Sequence, residues 1–176
     1  MLFVFLWYTF FMILEPKKII PLLGIQHGMT ILDVGSGVGF WTKQIAPLVG
    51  ASGKVFAVDY HPDIIKRLYS DIEDLGLRNV YPVTADVTDR ANIPLTNESC
   101  DKILMIRMIQ DVYDELLDVV NNFIPLLRIH GEIIIIDTHD FIVQAKKILK
   151  NTYQINEIPL IDEKTNSYYR GVKITL

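Results

Sequence analysis

Three aspartates and a glycine-rich turn carry the chemistry that the sequence makes visible. Asp33 opens the run Asp33-Val34-Gly35-Ser36-Gly37-Val38-Gly39, Asp59 ends the run AVD, and Asp86 sits in TADVTD, at spacings of 26 and 27 residues. A chain that turns sharply from a strand into a helix while its backbone approaches a ligand needs glycine, because a β-carbon would clash and a left-handed turn is costly for other residues. A carboxylate at a strand end, as at Asp59, can accept hydrogen bonds from both vicinal hydroxyls of a ribose. Asp86 can accept from an exocyclic amine such as adenine N6, and it can equally form an Asx turn or a helix cap. Asp33, two residues before the first glycine, would repel a pyrophosphate and attract a cation such as a sulfonium or a ligand amino group. Together these residues describe an adenosine site. A dinucleotide fingerprint would place its third glycine at position 40, where the chain has Phe40; the glycine comes one residue early, at Gly39.

The elements that must position these residues follow from the alternation of short apolar runs with amphipathic stretches, the pattern of repeated βα units around a parallel sheet. Strands are expected at Thr30–Val34, Lys54–Asp59, Val80–Thr84, Asp101–Arg107 and Gly131–Thr138, with helices over Val38–Val49, from Pro62 to about Leu75, over Asp114–Arg128 and over Phe141–Tyr153. Pro82 cannot donate a ladder hydrogen bond, so the third strand belongs at an edge. The uniformly apolar Gly131–Thr138 belongs in the centre, covered on both faces. Ile155–Ile161 and Tyr168–Leu176 are separated by Asp162–Ser167, which is too short for a crossover helix, so the two form an antiparallel hairpin. Each acid then falls on a different strand: Asp33 near the end of the first, Asp59 at the end of the second, and Asp86 just past the third.

With 176 residues the chain fits one domain. Seventeen Lys and Arg against 21 Asp and Glu give a formal charge of −4, so no nucleic-acid partner is expected. A single cysteine, Cys100, makes no internal disulfide, and a reducing cytoplasm is the simplest compartment. Asp137, His139 and Asp140 lie close in sequence, but no further ligand stands at metal-site spacing, so no metal is expected. Lys146, Lys147 and Lys150 fit a solvated helix face near a helix end.

The segments ILDVGSGVGFWTKQIA, GKVFAVDYHPDII, VTADVTD, SCDKILMIRMIQDV and LLRIHGEIIIIDTHD resemble the successive motifs of class I S-adenosylmethionine-dependent methyltransferases, and are similar to those of the small single-domain ubiquinone and menaquinone biosynthesis group. The resemblance covers about residues 16–176. It implies a seven-stranded Rossmann-like sheet in the order 3-2-1-4-5-7-6 with strand 7 antiparallel. It also implies that Gly35, Ser36, Gly37 and Gly39 line the methionine part of the cofactor, that Asp59 takes the ribose hydroxyls, and that Tyr60 packs by the adenine. Asp86 and Val87 would meet the adenine edge, and the backbone of Arg107 the methionine end.

No catalytic base is compelling. Arg107, Gln110, His139 and Tyr8 are candidates for the acceptor side, with His139 equally suited to a cap or a surface position. The cluster after the fourth strand, Ile106-Arg107-Met108-Ile109, lacks the Asn/Asp-Pro-Pro-aromatic pattern of amino-group methylation, and Cys100 lacks the preceding proline of a cytosine-ring nucleophile. The remaining readings are a nicotinamide-dependent oxidoreductase, disfavoured by Phe40 and Asp33, and a cofactor-binding module without turnover.

Met1–Leu14 is free of charge and holds six aromatics, Phe3, Phe5, Trp7, Tyr8, Phe10 and Phe11. It is shorter than the roughly 20 residues of a membrane-spanning helix. Such a run requires a cover, which is a lid over the cofactor and acceptor mouth, a homodimer contact or a membrane surface. A lid or an anchor both suit a hydrophobic small-molecule methyl acceptor.

Overall fold

The structure is a computed structural model that describes residues 16–158 and 169–175. Its elements are α1 (Pro16–Leu23), β1 (Thr30–Val34), α2 (Phe40–Val49), β2 (Lys54–Asp59), α3 (Pro62–Asp74), β3 (Val80–Thr84), β4 (Cys100–Ile106), α4 (Leu116–Phe123), β5 (Leu127–Thr138), α5 (His139–Leu149), β6 (Ile155–Ile158) and β7 (Tyr169–Thr175). One seven-stranded sheet runs β3-β2-β1-β4-β5-β7-β6. Its first five strands in that order are parallel, and β7 lies antiparallel to both β5 and β6. The α/β class, the strand order and the antiparallel β7 match the expectation.

Period-two alternation explains how a uniformly apolar strand satisfies two faces at once. Ile133 and Ile135 point into one layer, where they join Leu116, Val119 and Phe123 of α4 and Ile142 of α5. Ile134 and Ile136 point into the other, with Ile19 and Leu23 of α1, Ile45 of α2 and Leu68 of α3. All four isoleucines are fully buried, so helices cover both sides of β5. Pro82 lies in β3 at one edge, opposite Ala57 of β2.

Several boundaries differ from the expectation, each for a local reason. The helix expected over Asp114–Arg128 is α4 followed by a 3₁₀ turn at Ile124–Leu126; Pro125 has no N–H and disfavours helical geometry just before it. The chain released there pairs Leu127 with Cys100, so β5 begins four residues before Gly131, with a register shift ahead of Lys102–Glu132. α2 starts at Phe40 rather than Val38 because Gly39 is left-handed, at φ 75°. α5 begins directly at His139 and ends at Leu149, whose carbonyl accepts from both Thr152 and Tyr153. β4 starts at Cys100 and stops at Ile106, since Arg107 takes φ 62°. α1 was not expected: Pro21 lies within it, and its packing pair is Ile19 and Leu23, one helical turn apart. The turn Asp162–Ser167 and the segment Met1–Leu14 lie outside the described residues.

The helix that carries the glycine loop is pinned at its far end by a side chain from another unit. Asn79, just before β3, donates through Nδ2 to the carbonyls of Ala46 (2.7 Å) and Gly50 (2.9 Å), a second donor to carbonyls that also accept from the N–H groups of Gly50 and Gly53. Asn79→Ala is expected to lower stability by about 1–2 kcal/mol in urea unfolding. A loss below 0.3 kcal/mol, about the resolution of such a measurement, would show that water replaces the amide without cost.

Candidate functional site

In an open α/β sheet, ligands bind beyond the carboxyl ends of the strands, where adjacent strands lead their connections in opposite directions. Here that point lies between β1 and β4, which are neighbours in the sheet while the chain between them runs out through β2 and β3. The two loops that part there are residues 35–39 and the segment starting at Arg107.

Residues 35–39 are shaped by backbone geometry. Gly35, Gly37 and Gly39 have φ of 71°, 54° and 75°. The N–H groups of Gly35 and Ser36 both donate to the Val58 carbonyl at 2.9 Å, and Gly39 N–H donates to the Ser36 carbonyl at 2.9 Å. The three glycines do different work. A β-carbon on Gly39 would lie 2.3 Å from Leu68 Cδ1, and one on Gly35 would lie 3.2 Å from Met108 Cβ, whereas one on Gly37 would meet nothing within 4 Å among the described residues. Gly39 therefore packs α2 against α3, Gly35 admits the loop after β4, and Gly37 borders open space. Ser36 Oγ is buried with no hydrogen-bond partner, an unusual state for a hydroxyl, and it adjoins Gly37.

The three acids have different environments. Asp59 is 8% exposed; its Oδ2 accepts from Gly37 N–H (3.0 Å), and its Oδ1 accepts from the N–H of His61 (3.0 Å) and from His61 Nδ1 (3.1 Å). A carboxylate has about four acceptor sites, so Asp59 ties the glycine loop to the start of α3 and keeps acceptor capacity. Asp33 is 2% exposed, and its Oδ2 accepts from Thr42 Oγ1 at 2.5 Å. It thereby clamps the first turn of α2 from beneath the loop. Burial pushes its carboxyl up to about 6, opposed by the Thr42 hydroxyl and N–H and reinforced by the charge of Asp59. Asp86 is exposed and uses Oδ1 to accept from the N–H (2.9 Å) and hydroxyl (2.7 Å) of Thr88. This is the Asx turn, and those two bonds hold its carboxyl below the usual range. Val87 beside it is half-buried. Tyr60 is 63% exposed, with its ring 3.6 Å from that of His61.

On the other side of the switch point, Arg107 donates its N–H to the Ile136 carbonyl (2.8 Å), and its Nη1 donates to the Tyr169 hydroxyl (2.6 Å). A left-handed backbone at an arginine is strained, and such strain concentrates at functional loops. Asp137, 2% exposed, accepts from Ile109 N–H (3.1 Å) and Thr138 N–H (2.8 Å). Burial raises its carboxyl, while these bonds and the Arg107 charge oppose the rise. His139 and Gln110 are exposed at this end of the sheet, and Tyr8 lies outside the described residues. Cys100 is buried at the opposite end, its thiol pushed up to about 12 chiefly by burial, which leaves it inert.

The residues present fit an adenosyl cofactor. The space over Gly37 and the partnerless Ser36 hydroxyl would take the amino-acid end, Asp59 the ribose, and the exposed ring of Tyr60 the adenine. The sequence reading missed His61, Thr42, Met108 and Tyr169 at this site. Only His61 had a signal, its place two residues after a strand-end acid; the others arrive through tertiary contacts.

Asp33 yields a pH test of stability. Its folded value of about 6 lies above the 3.8 of a free aspartate, so its contribution is fully present below pH 4, declines between pH 4 and 6, and stays lost above. Asp33→Asn keeps an acceptor for Thr42 and removes the charge. The variant is expected to be more stable than the parent at pH 8 by about 1–3 kcal/mol, the advantage vanishing near pH 4. An advantage equal at both pH values would contradict the burial of an ionised Asp33.

A family described as methyltransferase domain matches residues 25–171 of the chain. Protein-L-isoaspartate O-methyltransferase of Methanococcoides burtonii is 40% identical over 65 residues, covering 37% of this chain and 32% of that protein. Sterol methyltransferase-like 1 of Botryococcus braunii is 34% identical over 143 residues, covering 69% of this chain and 36% of that protein. The chain thus spans about a third of the length of these curated relatives. Among solved structures, a SAM-dependent methyltransferase from Aquifex aeolicus matches with a TM-score of 0.78 at 23% identity, over 93% of this chain and 90% of that one. Aeropyrum pernix fibrillarin, solved with natively bound S-adenosyl-L-methionine, matches with a TM-score of 0.65 at 16% identity, over 85% and 67%. These structural likenesses share the fold, and the family match spans most of the chain. The chain belongs to the methyltransferase-domain family, with the class I, Rossmann-like architecture of S-adenosylmethionine-dependent methyltransferases.

Proposed function

We propose that this protein binds S-adenosylmethionine over the Gly35–Gly39 loop and transfers its methyl group to a small, apolar acceptor. The observation that carries the cofactor reading is Gly37, a left-handed glycine facing open space while its N–H is held by Asp59. When bound, the cofactor supplies an electrophilic methyl on a sulfonium, displaced in line by a lone pair of the acceptor. The chain's part is positioning: the Gly37 and Ser36 backbone, Asp59 and Tyr60 fix the donor end, and the segment from Arg107 to Gln110, together with His139, borders the acceptor end. Positioning of this kind can contribute roughly 7–11 kcal/mol. His139 Nδ1 or Nε2 would accept a proton only if the acceptor atom retains one.

Two features support an apolar acceptor. Residues 1–14 bring six aromatics and no charge, and on that composition we assign them as a lid over the mouth. Sterol methyltransferase-like 1, named for a sterol, is one of the relatives that align with more than two thirds of this chain. This reading also covers the quinone-type acceptors of the group that the motifs resemble. Among the described residues no helix is long and apolar enough to cross a membrane; a membrane-surface or dimer role for residues 1–14 would be revealed by vesicle flotation or sedimentation of the truncated chain.

The acceptor class is tested by incubating the full chain with methyl-labelled S-adenosylmethionine and either an apolar lipid extract or an isoaspartyl peptide. Label in the organic phase is expected, with turnover reduced by deletion of residues 1–14. Label in the peptide alone, or full turnover after the deletion, would overturn the apolar acceptor and the lid respectively. For the cofactor cradle, Gly37→Val places a branched side chain in the open space and in a left-handed conformation that costs about 1–2 kcal/mol. It is expected to weaken S-adenosylhomocysteine binding by at least about tenfold while the chain stays folded. Parent-like affinity would mean that the loop is only a turn.

A further inference from the structure

The acid read as the ribose acceptor already has donors. Of the three groups on Asp59, two are backbone N–H groups, from Gly37 and His61, fixed by the loop and by the start of α3. The third is the His61 ring, whose Nδ1 lies 3.1 Å from Oδ1 and whose side chain is 48% exposed. A carboxylate only accepts, so Nδ1 carries a proton in this contact. Tyr60 leans on the same ring, at 3.6 Å between centroids and 42° between planes. A ribose hydroxyl arriving at Oδ1 meets one partner that can move, and moving it also frees the Tyr60 face.

We propose that His61 is a positioning residue that holds Asp59 and Tyr60 in the ligand-free protein and is displaced from Asp59 by the cofactor ribose, so that cofactor affinity is linked to the protonation of His61. This rests on the reading of Asp59 as the ribose acceptor. Histidine gains charge as pH falls through the range between 8 and 5, and an imidazolium holds a carboxylate more tightly than a neutral ring does. Asp59 and Tyr60 contact the ring; of the other acids nearby in the chain, Asp63 lies in the first turn of α3, Asp33 acts on Asp59 from β1, and Asp86 is turned to Thr88 beyond β3. When it carries a second proton the ring holds Asp59 as an ion pair and competes with the ribose.

The test is calorimetric titration of the full chain with S-adenosylhomocysteine at pH 5.5 and pH 8, for the parent, His61→Ala and His61→Gln. The parent is expected to bind about two- to fivefold more weakly at pH 5.5, the range of a partly exposed ion pair. His61→Ala should recover that loss at pH 5.5 and approach the parent at pH 8. His61→Gln, which keeps a donor that does not titrate, should bind with a smaller pH ratio than the parent and less tightly than His61→Ala. Asp33 titrates alike in all three proteins, so the ratio of variant to parent isolates His61. Equal pH ratios in parent and His61→Ala would overturn the proposal while leaving the cofactor assignment standing. Absence of binding by the parent at both pH values would overturn the cofactor assignment, and this inference with it.

Discussion

The hydrogen bond from Gly37 N–H to Asp59 is the contact on which the site depends. It joins the loop after β1 to the end of β2, across two strands that run parallel and in register. The loop is bent by three left-handed glycines, a backbone path that most residues resist. Bent in this way, it leaves the face of Gly37 open at the switch point of the sheet, and Asp59 fixes the orientation of the Gly37 peptide. Every other feature of the site is arranged around that tie: Thr42 anchors the loop to α2 through Asp33, Leu68 fills the notch at Gly39, and Met108 brings the loop after β4 against Gly35.

Placing two carboxylates close together beneath one loop has a cost. Asp33 is almost fully buried, and the charge of Asp59 adds to the burden of its ionisation. A fold selected for stability alone would replace it with a neutral acceptor for Thr42. Stored destabilisation of this kind is common where a site must receive a ligand of opposite charge. A second strained position, the left-handed Arg107, lies across the same opening. The remainder of the molecule offsets these costs by ordinary means, with isoleucine layers on both faces of β5 and a buried Lys102–Glu132 pair, joined by Lys173, at the far end of the sheet. Glu132 shows the balance: desolvation raises its carboxyl, and the two ammonium groups bring it below its ordinary value.

Most of the sheet was legible because its information is local and periodic. Apolar runs of five to seven residues between turn residues marked β1 to β4, Pro82 marked the edge, and the short Asp162–Ser167 link forced β6 and β7 to be antiparallel neighbours. Errors fell where proline redirected the chain. Pro125 converts what reads as one long amphipathic helix into a helix, a 3₁₀ turn and the first residues of β5, and its position alone was a usable signal. Pro16 and Pro21 hid α1, whose eight residues are held by Ile19 and Leu23 against the core rather than by propensity. At the site, spacing placed the acids on successive strands but carried nothing about their partners. Thr42 reaches Asp33 from α2 across the glycine loop, a contact with no sequence pattern distinct from a solvated acid, whereas the turn that Asp86 closes on Thr88 was among the expected alternatives for that residue. Tyr169 reaches Arg107 from a strand 62 residues away, a distance at which single-chain patterns are silent.

The most direct measurement of the central claim is isothermal titration calorimetry of the full chain with S-adenosylmethionine, S-adenosylhomocysteine and NAD in parallel. The account predicts saturable one-to-one binding of both adenosyl sulfur ligands and none of NAD, because the loop offers Asp33 and Phe40 where a pyrophosphate would need neutral or glycine positions. Preferential binding of NAD, or failure of both sulfur ligands to bind, would contradict it.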